Sequence, residues 1–150
     1  MDDVQEIKNK IYAYAERLDT GDIDGFASLF EHATFRTNGV DFVAHGAQAV
    51  RELVSNLVIL YGGSPATKHI ITNVAVELEG MQANARSYFT VLQARPEQFP
   101  LQAIVAGRYH DRFRRIDGEW HYVDHLIFLD LLGDTRFHLK DAAGSGSHIR

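Results

Sequence analysis

TKHIITNVAVEL, residues 67–78, begins a run of four long segments in which apolar and polar side chains alternate. The other three segments are residues 83–94, 101–115 and 119–132. Alternation with a period of two is typical of β-strands, because successive side chains point to opposite faces of a sheet. The connectors are short: Glu79-Gly80-Met81, residues 95–100 and Asp117-Gly118. Short connectors predict that the four strands are antiparallel neighbours in one sheet.

Helices are predicted before this run. Apolar residues recur at spacings of three and four in the first helix, namely Val4, Ile7, Ile11, Ala15 and Leu18. Gly21 can take the left-handed conformation that ends this helix, and Asp22 is a suitable N-cap for a second helix over 23–30. A third helix is predicted over 46–61, where Gly62-Gly63-Ser64-Pro65 ends it.

A short hairpin is predicted between the second and third helices. Its strands are residues 33–37 and 40–44, and Asn38-Gly39 is a strong signal for the turn between them. The order of elements therefore predicts an α+β fold, with three N-terminal helices packed on one face of a curved antiparallel sheet. A sheet rolled around a helix leaves a conical cavity, in which we expect a small molecule to bind.

Composition limits the classes of function. A chain of 150 residues is expected to form one domain, here residues 1–140 followed by a flexible Gly/Ser-rich tail over 141–150. Cysteine is absent, which excludes disulfides, thiol catalysis and thiolate metal sites. The net charge of −5 gives little attraction to nucleic acid or to an anionic membrane.

Location and partners are expectations from the same sequence. The N-terminus has no apolar signal-peptide core, and the apolar runs are too short to span a bilayer. We therefore expect a cytoplasmic protein that binds a small-molecule substrate. Exposed faces of a curved sheet need covering, which favours a homo-oligomer, a dimer or trimer.

Three polar residues could form a catalytic site. His69 lies in a strand that is mostly apolar on both faces, and a histidine can exchange a proton near neutral pH. Asp19 ends the first helix, where a carboxylate meets the unfavourable end of the helix dipole and needs a donor. Tyr14 lies on the same helix and can point towards Asp19. An aspartate that orients a histidine base, with a tyrosine that binds a carbonyl oxygen, needs no metal or cofactor.

A structural interpretation of the same residues stays open. His69 is then a core histidine bonded to the backbone, Asp19 an exposed loop carboxylate and Tyr14 a packing residue. His121 and His125 form an H-x-x-x-H motif, but on a strand they lie about 13 Å apart, too far to share one metal ion. His125 could face the cavity or the exposed side of the sheet. Trp120, Tyr122 and Phe128 are expected to alternate on one face of the same strand, in the core or at an interface.

A family resemblance joins these motifs. IYAYAERLDTGDIDGFASLF (11–30), TKHIITNV (67–74) and GRYHDRFRRIDGEWHYVDHLIFLD (107–130) together resemble the SnoaL-like branch of the nuclear-transport-factor-2-like superfamily. The resemblance covers about residues 3–139 and implies a cone-shaped, cystatin-like α+β roll. The functional similarity is to scytalone dehydratases and bile-acid 7α-dehydratases, whose catalytic aspartate and histidine match Asp19 and His69. The bile-acid enzymes also use a tyrosine five residues before the aspartate, which matches Tyr14.

Other lining residues differ from those of scytalone dehydratases. Leu18 stands where they have a tyrosine, about Gln93 where they have a second histidine, and roughly Gly107 and Tyr109 where they have a serine and an asparagine. The resemblance thus implies a cofactor-independent hydro-lyase that acts on another small cyclic or polyketide-like substrate. We expect Tyr88, Tyr109 and His125 to contact that substrate. The alternatives are a polyketide cyclase, a ketosteroid-isomerase-like isomerase, or the non-catalytic small subunit of an aromatic-ring dioxygenase.

Overall fold

The computed structural model describes residues 1–140, so the predicted tail lies outside the described residues. Three helices and six strands follow each other in these 140 residues. They are α1 (Asp3–Asp19), α2 (Ile23–Ser28), β1 (Thr34–Thr37), β2 (Val43–His45), α3 (Gly46–Leu57), β3 (Thr67–Glu79), β4 (Gln82–Arg95), β5 (Phe99–Ile116) and β6 (Glu119–Leu132). The predicted α+β fold is confirmed, with helices packed on one curved sheet.

The sheet is mixed, which differs from the all-antiparallel prediction. Its strand order is β2-β1-β6-β5-β4-β3. The four long strands pair antiparallel as predicted, and β1 pairs antiparallel with β2. However, β1 lies parallel to β6, with Phe35 opposite His125. The alternation of apolar and polar residues predicts which side chains share one face of a strand, but not which strand lies beside it. The pairing of β1 with β6 could therefore not be deduced from alternation.

Capping residues account for the helix ends. The Asp22 side chain accepts a hydrogen bond from the backbone N–H of Gly25 and so caps α2, as predicted. Gly21 has a positive φ of 80°, and a Cβ there would collide with the backbone oxygen of Gly63. Helix α3 ends at Leu57, four residues before the predicted end. Val58 is already extended, because the chain here pairs with Leu139 of the C-terminal segment.

A β-bulge in β6 changes which side chains face the core. Phe113 pairs with Tyr122, but the preceding residue, Arg112, pairs with Asp124, so Val123 is an extra residue. The bulge turns His125 to the inner face, where it is fully buried. It also turns Phe128 to the outer face, against Arg108. The expectation that Trp120, Tyr122 and Phe128 share one face is therefore wrong for Phe128.

Aromatic side chains make up much of the core between the helices and the sheet. The buried rings include Tyr14, Phe26, Phe30, Phe89, Tyr109, Phe113, Trp120 and Tyr122. Within residues 1–140, no helix is both long enough and apolar enough to cross a membrane.

Candidate active site

Asp19 and His69 meet where α1 ends and β3 begins. The Nδ1 atom of His69 lies 2.6 Å from Oδ1 of Asp19, and the same oxygen accepts a hydrogen bond from the Thr67 hydroxyl at 2.8 Å. Oδ2 of Asp19 accepts from the backbone N–H of His69 at 2.7 Å. The side chains are only 8% and 5% exposed. The carboxylate therefore has three donors, all supplied by the first residues of β3.

These donors meet the need that the sequence predicts for a carboxylate at a helix C-terminus. Burial by itself would raise the pKa of Asp19. The hydrogen bonds from His69, the charge interaction with His69 and the hydrogen bond from Thr67 together outweigh burial and lower the pKa below its usual value. An ionised carboxylate only accepts hydrogen bonds, so His69 carries its ring proton on Nδ1. The second ring nitrogen, Nε2, is then free to accept a proton.

Tyr14 lies next to this pair in the interior. Its ring centroid is 6.3 Å from that of His69, 5.2 Å from that of Tyr109 and 4.8 Å from that of His125. Burial is the main cause of a raised pKa for the Tyr14 hydroxyl, with Asp111 and Asp19 adding to it. Tyr14 is therefore a neutral hydrogen-bond donor over the whole physiological pH range.

The structure contains a second aspartate–histidine pair. Asp111 and His125 face each other on β5 and β6, with Nδ1 of His125 2.6 Å from Oδ1 of Asp111. Both side chains are 0% exposed. Oδ2 of Asp111 and Nε2 of His125 are buried and have no hydrogen-bond partner within residues 1–140. Burial raises the pKa of Asp111, and the opposing effect of His125 is smaller.

The expected substrate residues divide between the two faces of the sheet. Tyr109 is buried on the inner face, stacked on Phe89 at 4.3 Å, and His125 is buried beside Tyr14. Tyr88 is not brought to the site: it is 52% exposed on the outer face, opposite Arg108. Ser87 and Phe89 occupy the inward positions of β4, so the phase of the alternation excludes Tyr88.

The conical cavity that we expected is filled beside the first pair. The Tyr14, Phe89 and Tyr109 rings occupy the space between α1 and the sheet. Two cavities lie elsewhere in the described part of the chain. One of about 300 Å³ lies beside Val54 and Lys140, and one of about 400 Å³ lies on the outer face beside Arg36 and Arg112.

Sequence analysis gave no role to Arg95 and His138, and it named Gln93 only as the residue in place of a second histidine. Each of the three has a buried polar atom. Gln93 faces inward opposite Thr67, and Arg95 lies two residues further along β4. His138 belongs to the C-terminal segment. Burial and the charge interaction with His69 lower its pKa to about 4, and Asp19 opposes this shift. The inward phase of β4 indicates Gln93 and Arg95, but no local pattern indicates where His138 folds.

No group of three metal-ligating side chains is present among residues 1–140. The H-x-x-x-H motif cannot hold one metal ion, because His121 pairs with Arg114 on the outer face while the bulge turns His125 inward. The structure does bring Asp19 and His69 together, and a histidine oriented by a carboxylate is a common arrangement for proton transfer.

Comparisons with known proteins agree with this architecture. A family model described as a SnoaL-like domain matches residues 1–124. The structure of a protein of unknown function from Mycobacterium tuberculosis is 26% identical, with a TM-score of 0.71, and the match covers 86% of this chain and 72% of that chain. None of the curated proteins matches this chain.

Two structures from Novosphingobium aromaticivorans share the fold. A candidate scytalone dehydratase is 20% identical with a TM-score of 0.70, and the match covers 87% of this chain and 86% of that one. The β subunit of a candidate aromatic-ring-hydroxylating dioxygenase is 19% identical with a TM-score of 0.70, and the match covers 89% and 94%. At these identities the likeness establishes the fold alone.

Proposed function

This chain belongs to the family of SnoaL-like domains, and we propose that it is a cofactor-independent hydro-lyase. In this proposal His69 removes a proton alpha to a carbonyl group of a small cyclic or polyketide-like substrate, and water leaves from the beta carbon. The observation that carries the proposal is the 2.6 Å contact between Asp19 and His69, with both side chains nearly buried. A buried acid–imidazole pair of this geometry is the usual arrangement of a general base.

The chemical steps use the two ring nitrogens of His69 differently. Asp19 holds the proton on Nδ1, so Nε2 takes the alpha proton and the C–H electron pair forms an enolate. The imidazolium that results is stabilised by the ionised Asp19. The enolate electron pair then forms the carbon–carbon double bond and expels the beta hydroxyl group, which takes the proton from Nε2 and leaves as water. The histidine is regenerated in its starting form.

Tyr14 supplies the hydrogen bond to the carbonyl oxygen in this mechanism. Its buried hydroxyl stays protonated, because burial raises its pKa. A neutral donor aimed at the oxygen on which charge develops lowers the barrier more in a dry site than in water. Since aromatic rings fill the space beside the pair, the proposal requires the substrate to displace a ring or the C-terminal segment when it binds.

A non-catalytic function is the second candidate. The filled space between α1 and the sheet favours it, because an enzyme of this fold needs room beside its base. The likeness to the dioxygenase β subunit is consistent with it. In that case Asp19 and His69 serve only to attach α1 to β3. A cyclase or an isomerase would share the proton abstraction of the first proposal and differ only in what the enolate does next.

Product analysis tests the proposal directly. Wild-type protein is incubated with a panel of cyclic β-hydroxy ketones; elimination gives an enone with new ultraviolet absorbance and loss of water by mass, whereas isomerisation conserves mass. We expect His69→Gln to lower kcat/KM by about 100- to 10,000-fold, the usual contribution of a general base. His121→Gln is the matched control, because His121 lies on the outer face.

Two results would contradict the lyase. Equal turnover by wild type and His69→Gln, with equal melting temperatures, removes His69 as the base. A wild-type protein that changes no member of the panel favours the non-catalytic subunit.

A further inference from the structure

Buried polar atoms without hydrogen-bond partners form two groups among residues 1–140, one in the core around Asp111 and His125 and one at the end of the sheet where β4 ends. The second group consists of Oε1 of Gln93, Nε of Arg95 and Nδ1 of His138. A buried donor or acceptor that makes no hydrogen bond costs about 1 to 3 kcal/mol, so native proteins rarely contain several in one place. Three such atoms together therefore mark a place where water or a polar group of a ligand can complete the hydrogen bonds.

This group adjoins the first aspartate–histidine pair. Gln93 pairs across the sheet with Thr67, whose hydroxyl donates to Asp19. The Gln93 amide nitrogen donates to the backbone oxygens of Pro65 and Phe137 at 3.1 Å each. These two bonds fix the amide's orientation, and Oε1 is buried with no hydrogen-bond partner among residues 1–140. His138 follows Phe137 directly.

Arg95 is the only member of the group with a fixed charge. Its guanidinium carbon lies 3.7 Å from the ring centroid of Tyr61, whose hydroxyl donates to the backbone oxygen of Phe137 at 2.6 Å. Its orientation is thus set by stacking. No carboxylate of residues 1–140 forms an ion pair with Arg95, whereas Arg36, Arg86 and Arg108 each have one. A half-buried guanidinium with a free Nε–H is suited to a carboxylate, which it can bind through two parallel hydrogen bonds.

We propose that Arg95 binds a carboxylate group of the substrate, so that the substrate is a carboxylic acid with its reacting carbon at His69. The inference rests on the proposed function, because it takes His69 as the reacting end. His69 pairs with Val91, four residues before Arg95, which corresponds to about 13 Å along the strand. The two side chains reach part of this distance, so a carboxylic acid with one or two rings has a suitable length to join them. Like the substrate of the proposed reaction, it must displace an aromatic ring or the C-terminal segment to bind. Gln93 and His138 lie along it and can bind further polar groups of the same molecule.

Binding of a matched pair of probes tests the inference. The probes are 2-naphthoate and 2-naphthamide, which have the same rings and differ in charge, and isothermal titration calorimetry gives their Kd values. We expect wild-type protein to bind the carboxylate at least tenfold more tightly than the amide. Arg95→Gln should reduce this preference to less than twofold. Arg86→Gln is the control, because Arg86 is paired with Glu77 on the outer face and should leave the preference unchanged.

A second variant covers the case in which Arg95→Gln does not fold. Arg95→Lys keeps the charge but cannot form the bidentate contact, so we expect the carboxylate preference to fall at least threefold. Equal affinity of wild type for the two probes overturns the proposal. So does a preference that is the same in wild type and in the folded Arg95 variants.

The proposed function and this inference can fail separately. If both hold, His69→Gln loses turnover and keeps the Arg95-dependent preference for 2-naphthoate. Turnover that survives in His69→Gln contradicts the base alone. Loss of turnover in His69→Gln, combined with a carboxylate preference that does not depend on Arg95, contradicts the carboxylate site alone.

Discussion

The two aspartate–histidine pairs have the same 2.6 Å contact but different surroundings. Asp19 receives three hydrogen bonds, and its side chain keeps 8% of its exposure. Among residues 1–140, the Asp111 side chain accepts one hydrogen bond, from His125, and it is fully buried. The pKa of Asp19 is lowered although burial opposes this, whereas burial dominates at Asp111 and raises its pKa.

The number of donors therefore decides what each pair can do. An ionised Asp19 stabilises the imidazolium that proton abstraction produces on His69. Asp111 is less stable as an ion, and the free Nε2 of His125 faces aromatic rings rather than solvent. We infer that the first pair is suited to proton transfer and that the second holds β5 and β6 in register at the bulge.

The largest expected effect on stability comes from breaking the second pair. Asp111→Ala removes one partner of a fully buried pair and leaves His125 without its hydrogen bond, so we expect the free energy of unfolding to fall by about 3 to 5 kcal/mol. Urea denaturation followed by circular dichroism measures this change.

A double variant shows whether the loss comes from the unpaired group. Asp111→Leu combined with His125→Phe replaces the pair with apolar side chains, and it should recover most of the stability. A loss below about 1 kcal/mol for Asp111→Ala would mean that the second pair contributes little to the register.

Asp19→Asn should have a smaller effect, with the opposite dependence on pH to a change at Asp111. An amide oxygen cannot accept all three hydrogen bonds, so we expect a loss of about 1 to 3 kcal/mol at pH 7. Because folding lowers the pKa of Asp19, its contribution is present above the unfolded pKa and is lost as pH falls through the folded pKa. The difference between wild type and Asp19→Asn should therefore disappear in acid.

Asp111→Asn is the matched comparison for this pH dependence. Folding raises the pKa of Asp111, so its contribution is complete below the unfolded pKa and falls as pH rises through the folded pKa. Its difference from wild type should grow in acid, where that of Asp19→Asn shrinks. Urea denaturation at pH 3, 5 and 7 gives both differences, and parallel curves would mean that the two carboxylates are not distinguished as described.

The fold was largely predictable because its signals are local. The long strands begin and end within two residues of the predicted bounds, since alternation and turn residues act over short stretches. The parallel contact of β1 with β6 and the early end of α3 depend on partners distant in the chain, namely β6 and Leu139. No local pattern encodes such partners.

The candidate site was predictable in part for the same reason. His69 and Asp19 were found from a polar residue in an apolar strand and a carboxylate at a helix end. Sequence analysis did not assign His125 to a face of the sheet. A bulge at one residue changes the face on which every later side chain of the strand lies, and alternation alone does not show where a bulge occurs. Tyr88 was wrongly expected at the substrate site, because sequence analysis did not recognise that Ser87 and Phe89 are the residues of β4 that face inward. Asp111 was missed because it becomes significant only once His125 turns inward.

The smallest effect is expected at Tyr14, the residue between the two pairs. Its ring contacts His69 and His125, and its hydroxyl interacts with that of Tyr109. Tyr14→Phe keeps the ring packing and removes one hydrogen-bonding group, so we expect a loss of about 1 kcal/mol in unfolding free energy by urea denaturation.

Measurement of kcat shows which pair Tyr14 serves. If Tyr14 serves the first pair, Tyr14→Phe lowers kcat on a substrate of the wild-type enzyme although the variant is fully folded at the assay temperature. If it serves only the second pair, Tyr14→Phe and Asp111→Ala show a coupling energy in a double-mutant cycle while kcat stays at the wild-type value. Tyr109→Phe is the control, because it removes the neighbouring hydroxyl and leaves that of Tyr14 in position.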